Sequence, residues 1–282
     1  MEDMPDSPAS EGSDDLSRDD PGLDQLLALA IDIAREAGDL ARRRRTEGVA
    51  VAATKSTIAD VVTEADREVE QLIRRRLAEA RPQDGFLGEE SGAGQGDGGV
   101  TWVVDPIDGT VNYLYGIPHF AVSIAAVSGE PDARNWRQLV GVVFNPMTGE
   151  LFHAVRGGGA WLGEQRLSVS TPGEAGALVA TGFGYDPATH DGDFARLRRV
   201  MPFARDVRRA GAASLDLAYV AAGRLDGYFE RGLHPWDHAA GGLLVLEAGG
   251  ELGGMPGGAP GREMTIAASA PLAERISAAV YQ

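Results

Sequence analysis

Trp102-Val103-Val104-Asp105-Pro106-Ile107-Asp108-Gly109-Thr110-Val111-Asn112 begins as a buried strand and ends as a helix start. Its first three residues are aromatic and β-branched, and Pro106, which has no N–H to give a ladder, predicts that the strand stops there. Asp105 and Asp108 then stand one tight turn apart just past a strand end. Gly109 lets backbone approach a ligand closely, and Thr110 reads as the N-cap of the following helix. Carboxylates and free amides are thereby brought side by side. Hard oxygen donors suit Mg²⁺, which takes one or two carboxylates together with phosphate oxygens, and helix-start amides favour the same phosphate. An isolated Asp-x-x-Asp describes an ordinary acidic turn equally well.

Around this centre lie 282 residues, 43% of them hydrophobic, enough for one large domain or two halves sharing a core. There is no cysteine, which excludes disulfides and thiolate metal sites. The formal net charge of −16 argues against nucleic acid as a partner, because duplex binding needs clustered Lys and Arg. No apolar run is long enough for a bilayer, so no membrane partner is expected. The acidic start lacks the n- and h-regions of a signal peptide, and a cytoplasmic location is the default expectation. Residues 1–21 hold eight acids against Arg18 with almost nothing apolar, and read as a disordered acidic tail.

Beyond the tail, apolar residues from 23 to 37 keep to one helical face, and Arg42 to Arg45 follow as cations at the helix end. Residues 46–60 read as a loop holding Lys55, the single lysine among 26 basic residues. Residues 63–81 read as a helix with Thr63 as N-cap and Asp66 in its first turn, an arrangement that needs no chemistry. Residues 85–88 predict a short strand leading to Glu89-Glu90, and residues 92–99 a flexible run. Adjacent glutamates on extended backbone cannot both point the same way, and on sequence alone both could be surface charges. Strands follow at 120–127, 139–144 and 150–155, the last two as a hairpin, with 160–162 and 167–170 extending the sheet. The glycine loop 156–159 lacks the Gly-Lys-Ser/Thr of a nucleotide site. Strands at 178–181, 206–209, 226–230 and 265–269 then alternate with helices at 193–200, 215–222, 239–248 and 272–280. Gly211-Ala212-Ala213-Ser214 at one helix start either exposes amides to a ligand or permits tight packing. Asp237 by itself is a first-turn acid that favours its helix dipole.

The string Asp105-Pro106-Ile107-Asp108-Gly109-Thr110 resembles the signature of the inositol monophosphatase family of Mg²⁺-dependent, Li⁺-inhibited sugar phosphatases. Three further segments resemble that family in its order: Val62-Thr63-Glu64-Ala65-Asp66, Gly88-Glu89-Glu90-Ser91, and Glu230 to Asp237 followed by Ala239-Ala240-Gly241. The resemblance runs from about Leu26 to the C-terminus. It implies an α/β (α+β) fold, a layered αβαβα sandwich of the fructose-1,6-bisphosphatase/inositol monophosphatase type. The phosphatase domain would span 22–282, with an N-terminal α+β half of about 22–172 and a C-terminal α/β half of about 173–282.

The resemblance also implies roles. Glu89, Asp105, Asp108 and Asp237, with the Ile107 carbonyl, would hold two or three Mg²⁺ ions. Thr110 and Asp66, joined by a hydrogen bond, would orient the attacking water with Glu89. Gly109 and Thr110 amides would hold the phosphate, and Gly211, Ala213 and Glu230 would contact the sugar ring. A mobile loop bearing Lys55 would cover the metals, and His234 is not expected as a required ligand. The substrate implied is inositol monophosphate, with histidinol phosphate or a broader range of sugar phosphates as the alternative, and the assembly implied is a homodimer. A catalytically idle relative that acts through dimerisation or RNA-polymerase contact is the rival class, though four crowded carboxylates argue against it.

Overall fold

The structure, a computed structural model, describes residues 21–48, 51–54 and 61–282. The acidic tail up to residue 20 and Lys55 lie outside the described residues. In chain order come α1 (Pro21–Glu47), β1 (Val51–Thr54), β2 (Val61–Thr63), α2 (Glu64–Ala80), β3 (Gly85–Gly88) and β4 (Gly92–Gly94). Then follow β5 (Val100–Asp108), α3 (Thr110–Tyr115), β6 (Ala121–Ser128), β7 (Arg137–Asn145), β8 (Glu150–Val155), β9 (Gly159–Leu162) and β10 (Gln165–Arg166). The rest comprises β11 (Ala177–Thr181), α4 (His190–Val200), β12 (Ala204–Arg208), α5 (Ala213–Ala221), β13 (Gly227–Glu230), α6 (Pro235–Glu247), β14 (Glu251–Gly253), β15 (Thr265–Ala268) and α7 (Ala270–Val280).

Strand pairing gives an eight-stranded sheet ordered β10-β9-β8-β7-β6-β5-β3-β4 and a five-stranded sheet ordered β12-β11-β13-β15-β14, beside the small β1–β2 pair. The large sheet is antiparallel except for β3 against β5, and the small sheet is mixed. Five layers result: α1 and α2, the large sheet, α5 and α6, the small sheet, then α4 and α7. This is the α/β sandwich expected.

Burial on both faces explains why the central strands are apolar at nearly every position. Along β5, Trp102 and Val104 enter the core under α1 and α2, whereas Val103 faces the central core around α5 and α6. On β13 Tyr228 faces that central core and Phe229 the outer one under α7. Small residues set the layer spacing, since a Cβ on Gly141 of β7 would come within 2.8 Å of the Ala240 carbonyl of α6.

Several local expectations are corrected. Pro21 is the first residue of α1 and not the end of the tail, which suits a residue whose missing N–H is no loss in a first turn. The loop read over 46–60 contains β1, which pairs with β2. Residues 92–94 pair with β3 and not as a free glycine run. Residues 167–170 form no strand, because Val169 N–H donates to Ala248 and the Ser170 hydroxyl to Asp226, which draws the segment out of the sheet.

The largest correction concerns Pro106. The strand β5 does not stop there, because its register against β6 shifts between Asp105, opposite Ser123, and Asp108, opposite Ala121. Pro106 and Ile107 thus oppose the single residue Val122, a β-bulge in which the proline's absent N–H leaves no ladder bond broken. In an unbroken strand, residues three apart point to opposite faces. The bulge changes that phase, so Ile107 enters the outer core while Asp105 and Asp108 both face the central layer.

Candidate active site

Helix starts organise the acidic residues. Asp66 occupies the third position of α2, where its Oδ2 accepts the Thr63 N–H at 2.8 Å and the Thr63 hydroxyl at 2.5 Å. Asp237 has the same place in α6 and accepts the His234 N–H at 2.6 Å. Helix α5 has no capping side chain of its own, because Ala212 stands at its N-cap. Asp108 supplies the missing acceptor from 106 positions away, taking the Ser214 N–H at 2.7 Å, the Ser214 hydroxyl at 2.5 Å and the Ala213 N–H at 3.2 Å. Three carboxylates, Asp66 and Asp108 buried and Asp237 partly so, are therefore held by the positive ends of three helices.

Thr110 is not the N-cap of α3. Gly109 takes that position with φ +91°, in the left-handed region that glycine enters without strain. Thr110 becomes the first helical residue, and its hydroxyl lies 3.1 Å from the Ile107 carbonyl and 3.2 Å from Asp66 Oδ1. The Glu89 N–H donates to Val104 O at 3.2 Å, which sets that residue beside the end of β5, and the buried Glu70 of α2 accepts the Glu90 N–H at 2.8 Å.

These segments meet at a cleft of about 740 Å³. Glu89, Asp105, Ile107, Asp108, Gly109, Thr110, Gly211, Ala213, Glu230 and Asp237 all line it. Asp66 lies fully buried behind the wall, and Thr110 links it to the cleft. His234 also lines the cleft, with its ring stacked on Trp236 at 4.6 Å and Arg262 Nη1 2.5 Å from its Nε2.

Like charge dominates the electrostatics. Burial, and then Glu89, Asp108, Asp237 and Asp66 in turn, hold Asp105 well above the usual carboxylate range. Burial and then Asp108 and Glu89 do the same to Asp237. Burial raises Asp108 to about 6 against the opposing bonds from Ser214 and Ala213. Asp66 is raised to about 7, again mainly by burial. Carboxylates so crowded and desolvated repel one another, a donor set that a divalent cation would relieve. Among the described residues no three such groups close around one point, and Asp108 and Asp237 accept helix-start amides.

Sequence reasoning placed Ser214 at a helix start without a partner and gave no role to Tyr228 or Arg209. Ser214 holds Asp108, Tyr228 bonds Glu230, and Arg209 lines the cleft. Ser214 and Tyr228 signal themselves only as polar groups inside apolar runs.

A family model described as the inositol monophosphatase family matches residues 22–282. The inositol-1-monophosphatase of Rhizobium meliloti (strain 1021) is 49% identical over 207 residues, covering 70% of this chain and 75% of that protein. The Nus factor SuhB of Haemophilus influenzae (strain ATCC 51907 / DSM 11121 / KW20 / Rd) is 43% identical over 231 residues, covering 81% and 84%. The crystal structure of the extragenic suppressor protein suhB from Bartonella henselae, native, superimposes with a TM-score of 0.84 at 39% identity, covering 92% of this chain and 99% of that one. A likeness that spans both sheets and every segment of the cleft leaves one placement: the chain belongs to the inositol monophosphatase family.

Proposed function

We propose that this chain hydrolyses inositol monophosphate to inositol and phosphate with Mg²⁺ as its cofactor. The supporting observation is that Glu89, Asp105, Asp108 and Asp237, drawn from four distant segments, line one cleft beside the start of α3. The family works with metal ions, and this donor set of hard oxygens suits Mg²⁺. Two or three ions held by those carboxylates and the Ile107 carbonyl would neutralise phosphate charge, acidify a water and stabilise the leaving alkoxide.

The chain's own groups supply the rest. Thr110 Oγ1 accepts a bond from the attacking water while donating to Asp66 Oδ1, and Glu89 orients that water from the cleft side. Asp66 receives the proton of that water through the Thr110 hydroxyl. Gly109 and Thr110 amides hold the phosphate, and Gly211, Ala213 and Glu230 face the ring. Water attacks directly, without a phosphoenzyme. By the family likeness the working unit is a homodimer, which sedimentation tests.

Relatives named as SuhB support a second reading, a binding protein whose site is idle. Phosphate release with and without Mg²⁺ separates the two, measured on inositol monophosphate, histidinol phosphate and fructose 1,6-bisphosphate. The proposal expects Mg²⁺-dependent turnover that prefers inositol monophosphate and vanishes in Asp105→Asn. Turnover unaffected by that substitution overturns the mechanism, and a tenfold preference for histidinol phosphate overturns the substrate.

A further inference from the structure

We propose that Tyr228 is a positioning residue that makes the cleft selective for phosphate esters of polyols, by holding Glu230 as a one-sided acceptor for a substrate hydroxyl. This rests on the reading of the cleft as an inositol monophosphate site. Tyr228 and Glu230 stand two apart on β13, so both side chains leave the same face of that strand. Tyr228 is fully buried in the central core, and its hydroxyl donates to Glu230 Oε2 at 2.5 Å.

On its other side the carboxylate lies across Gly182, the residue that follows β11. Strands β11 and β13 run parallel with Thr181 opposite Phe229, which brings Gly182 beside Glu230. A Cβ at position 182 would run into the Glu230 carboxyl carbon and both its oxygens. The slot therefore exists only while residue 182 is glycine. Hydroxyl and glycine together fix one rotamer, with Oε2 occupied. Among the described residues no donor meets Oε1, and both Glu230 and Gly182 line the cleft.

Burial also raises the Tyr228 hydroxyl well above its ordinary range, so it remains a donor throughout the neutral region. An acceptor fixed in advance takes a hydroxyl at little further ordering cost, and an ester lacking that hydroxyl gains nothing from it.

Steady-state kinetics with Mg²⁺ on inositol monophosphate and on phenyl phosphate, which has no hydroxyl to offer, test the assignment. Tyr228→Phe is expected to raise KM for inositol monophosphate roughly tenfold with kcat within about twofold, through the loss of the bond that positions Glu230. Its kinetics on phenyl phosphate should match the parent, while its thermal midpoint falls by a few degrees with the lost buried bond. Gly182→Ala should raise the same KM with Tyr228 intact. In a Glu230→Ala background, Tyr228→Phe should add nothing, whereas a merely structural role would be additive. An unchanged KM, an equal loss on phenyl phosphate, or additivity overturns the assignment while the proposed activity stands. A parent protein that cleaves phenyl phosphate but not inositol monophosphate, or cleaves neither, fails the substrate reading and the Tyr228 assignment together.

Discussion

Thr110 Oγ1 lies 3.2 Å from Asp66 Oδ1, joining two residues 44 positions apart at the point where the starts of α2 and α3 meet. The other oxygen of Asp66 closes the α2 cap with Thr63, so one carboxyl group serves the fold with Oδ2 and faces Thr110 with Oδ1.

That division of labour predicts separable variants. Thr110→Ala and Asp66→Asn should lower kcat by about 10²–10⁴, the usual contribution of a positioned proton acceptor, while calorimetry still records Mg²⁺ uptake. Thr63→Ala loses a cap worth about 1 kcal/mol and should lower the thermal midpoint by about 2 °C. Its kcat should fall far less than that of Thr110→Ala. Equal kinetic losses in Thr63→Ala and Thr110→Ala would remove the distinction.

If the cleft holds Mg²⁺ as proposed, metal binding and pH are linked through the same carboxylates. Asp108 is raised to about 6 and Asp66 to about 7, with Asp105 and Asp237 also raised, so the metal-free fold keeps protons that the unfolded chain has already released. Its stability therefore falls as pH rises from about 4 to about 7. Magnesium held as proposed would need the ionised groups and offset that repulsion. The rise in thermal midpoint on adding Mg²⁺ should be larger at pH 8 than at pH 5, and an equal rise at both sinks the account.

Much of this arrangement was legible in residues 102–112, because two aspartates next to a glycine at a strand end specify both charge and free amides. The phase of those aspartates was not. Pro106 reports a missing N–H, but only pairing with β6 reveals that two residues oppose one there. The hydroxyl of Thr110 was misassigned for a related reason: Gly109 reaches φ +91° and takes the cap, which frees Thr110 to face Asp66. The sequence left cap and chemistry as alternatives for Asp66, and the geometry accommodates both. Glycine loop 156–159 was read by what it lacks, and the structure adds that Gly157 and Gly159 N–H groups donate to Glu247 of α6. Ser214 was illegible as a partner of Asp108, since nothing local foretells an acceptor 106 positions away.

The contact of Gly141 with Ala240 sets how closely α6 lies on the large sheet, and α6 carries Asp237. An added Cβ would stand 2.8 Å from the Ala240 carbonyl oxygen and 3.0 Å from its Cα, both backbone atoms that cannot swing aside. Gly141→Ala should cost about 1–3 kcal/mol, as overpacking in a dense core does. Because the helix must shift, apparent Mg²⁺ affinity should weaken with the midpoint. A variant of parental stability would mean that the layers yield there freely.

His238 gives acid sensitivity of the opposite sign to the carboxylates. The ring is buried on α6, edge-on to Trp136 at 5.5 Å, and its Nδ1 has no hydrogen-bond partner among the described residues. Burial lowers its pKa to about 4, so between pH 6.5 and 4 the unfolded chain takes up a proton that the folded chain refuses. Stability from this group is complete above pH 6.5 and falls as pH drops through that window, by up to about 3 kcal/mol. Carboxylate contributions are common to parent and variant and cancel in their difference. The stability of His238→Phe relative to the parent should therefore rise steadily from pH 7 to pH 4 in denaturant titrations. A difference that does not change with pH would show that the imidazole is already protonated, or already solvated, in the folded protein.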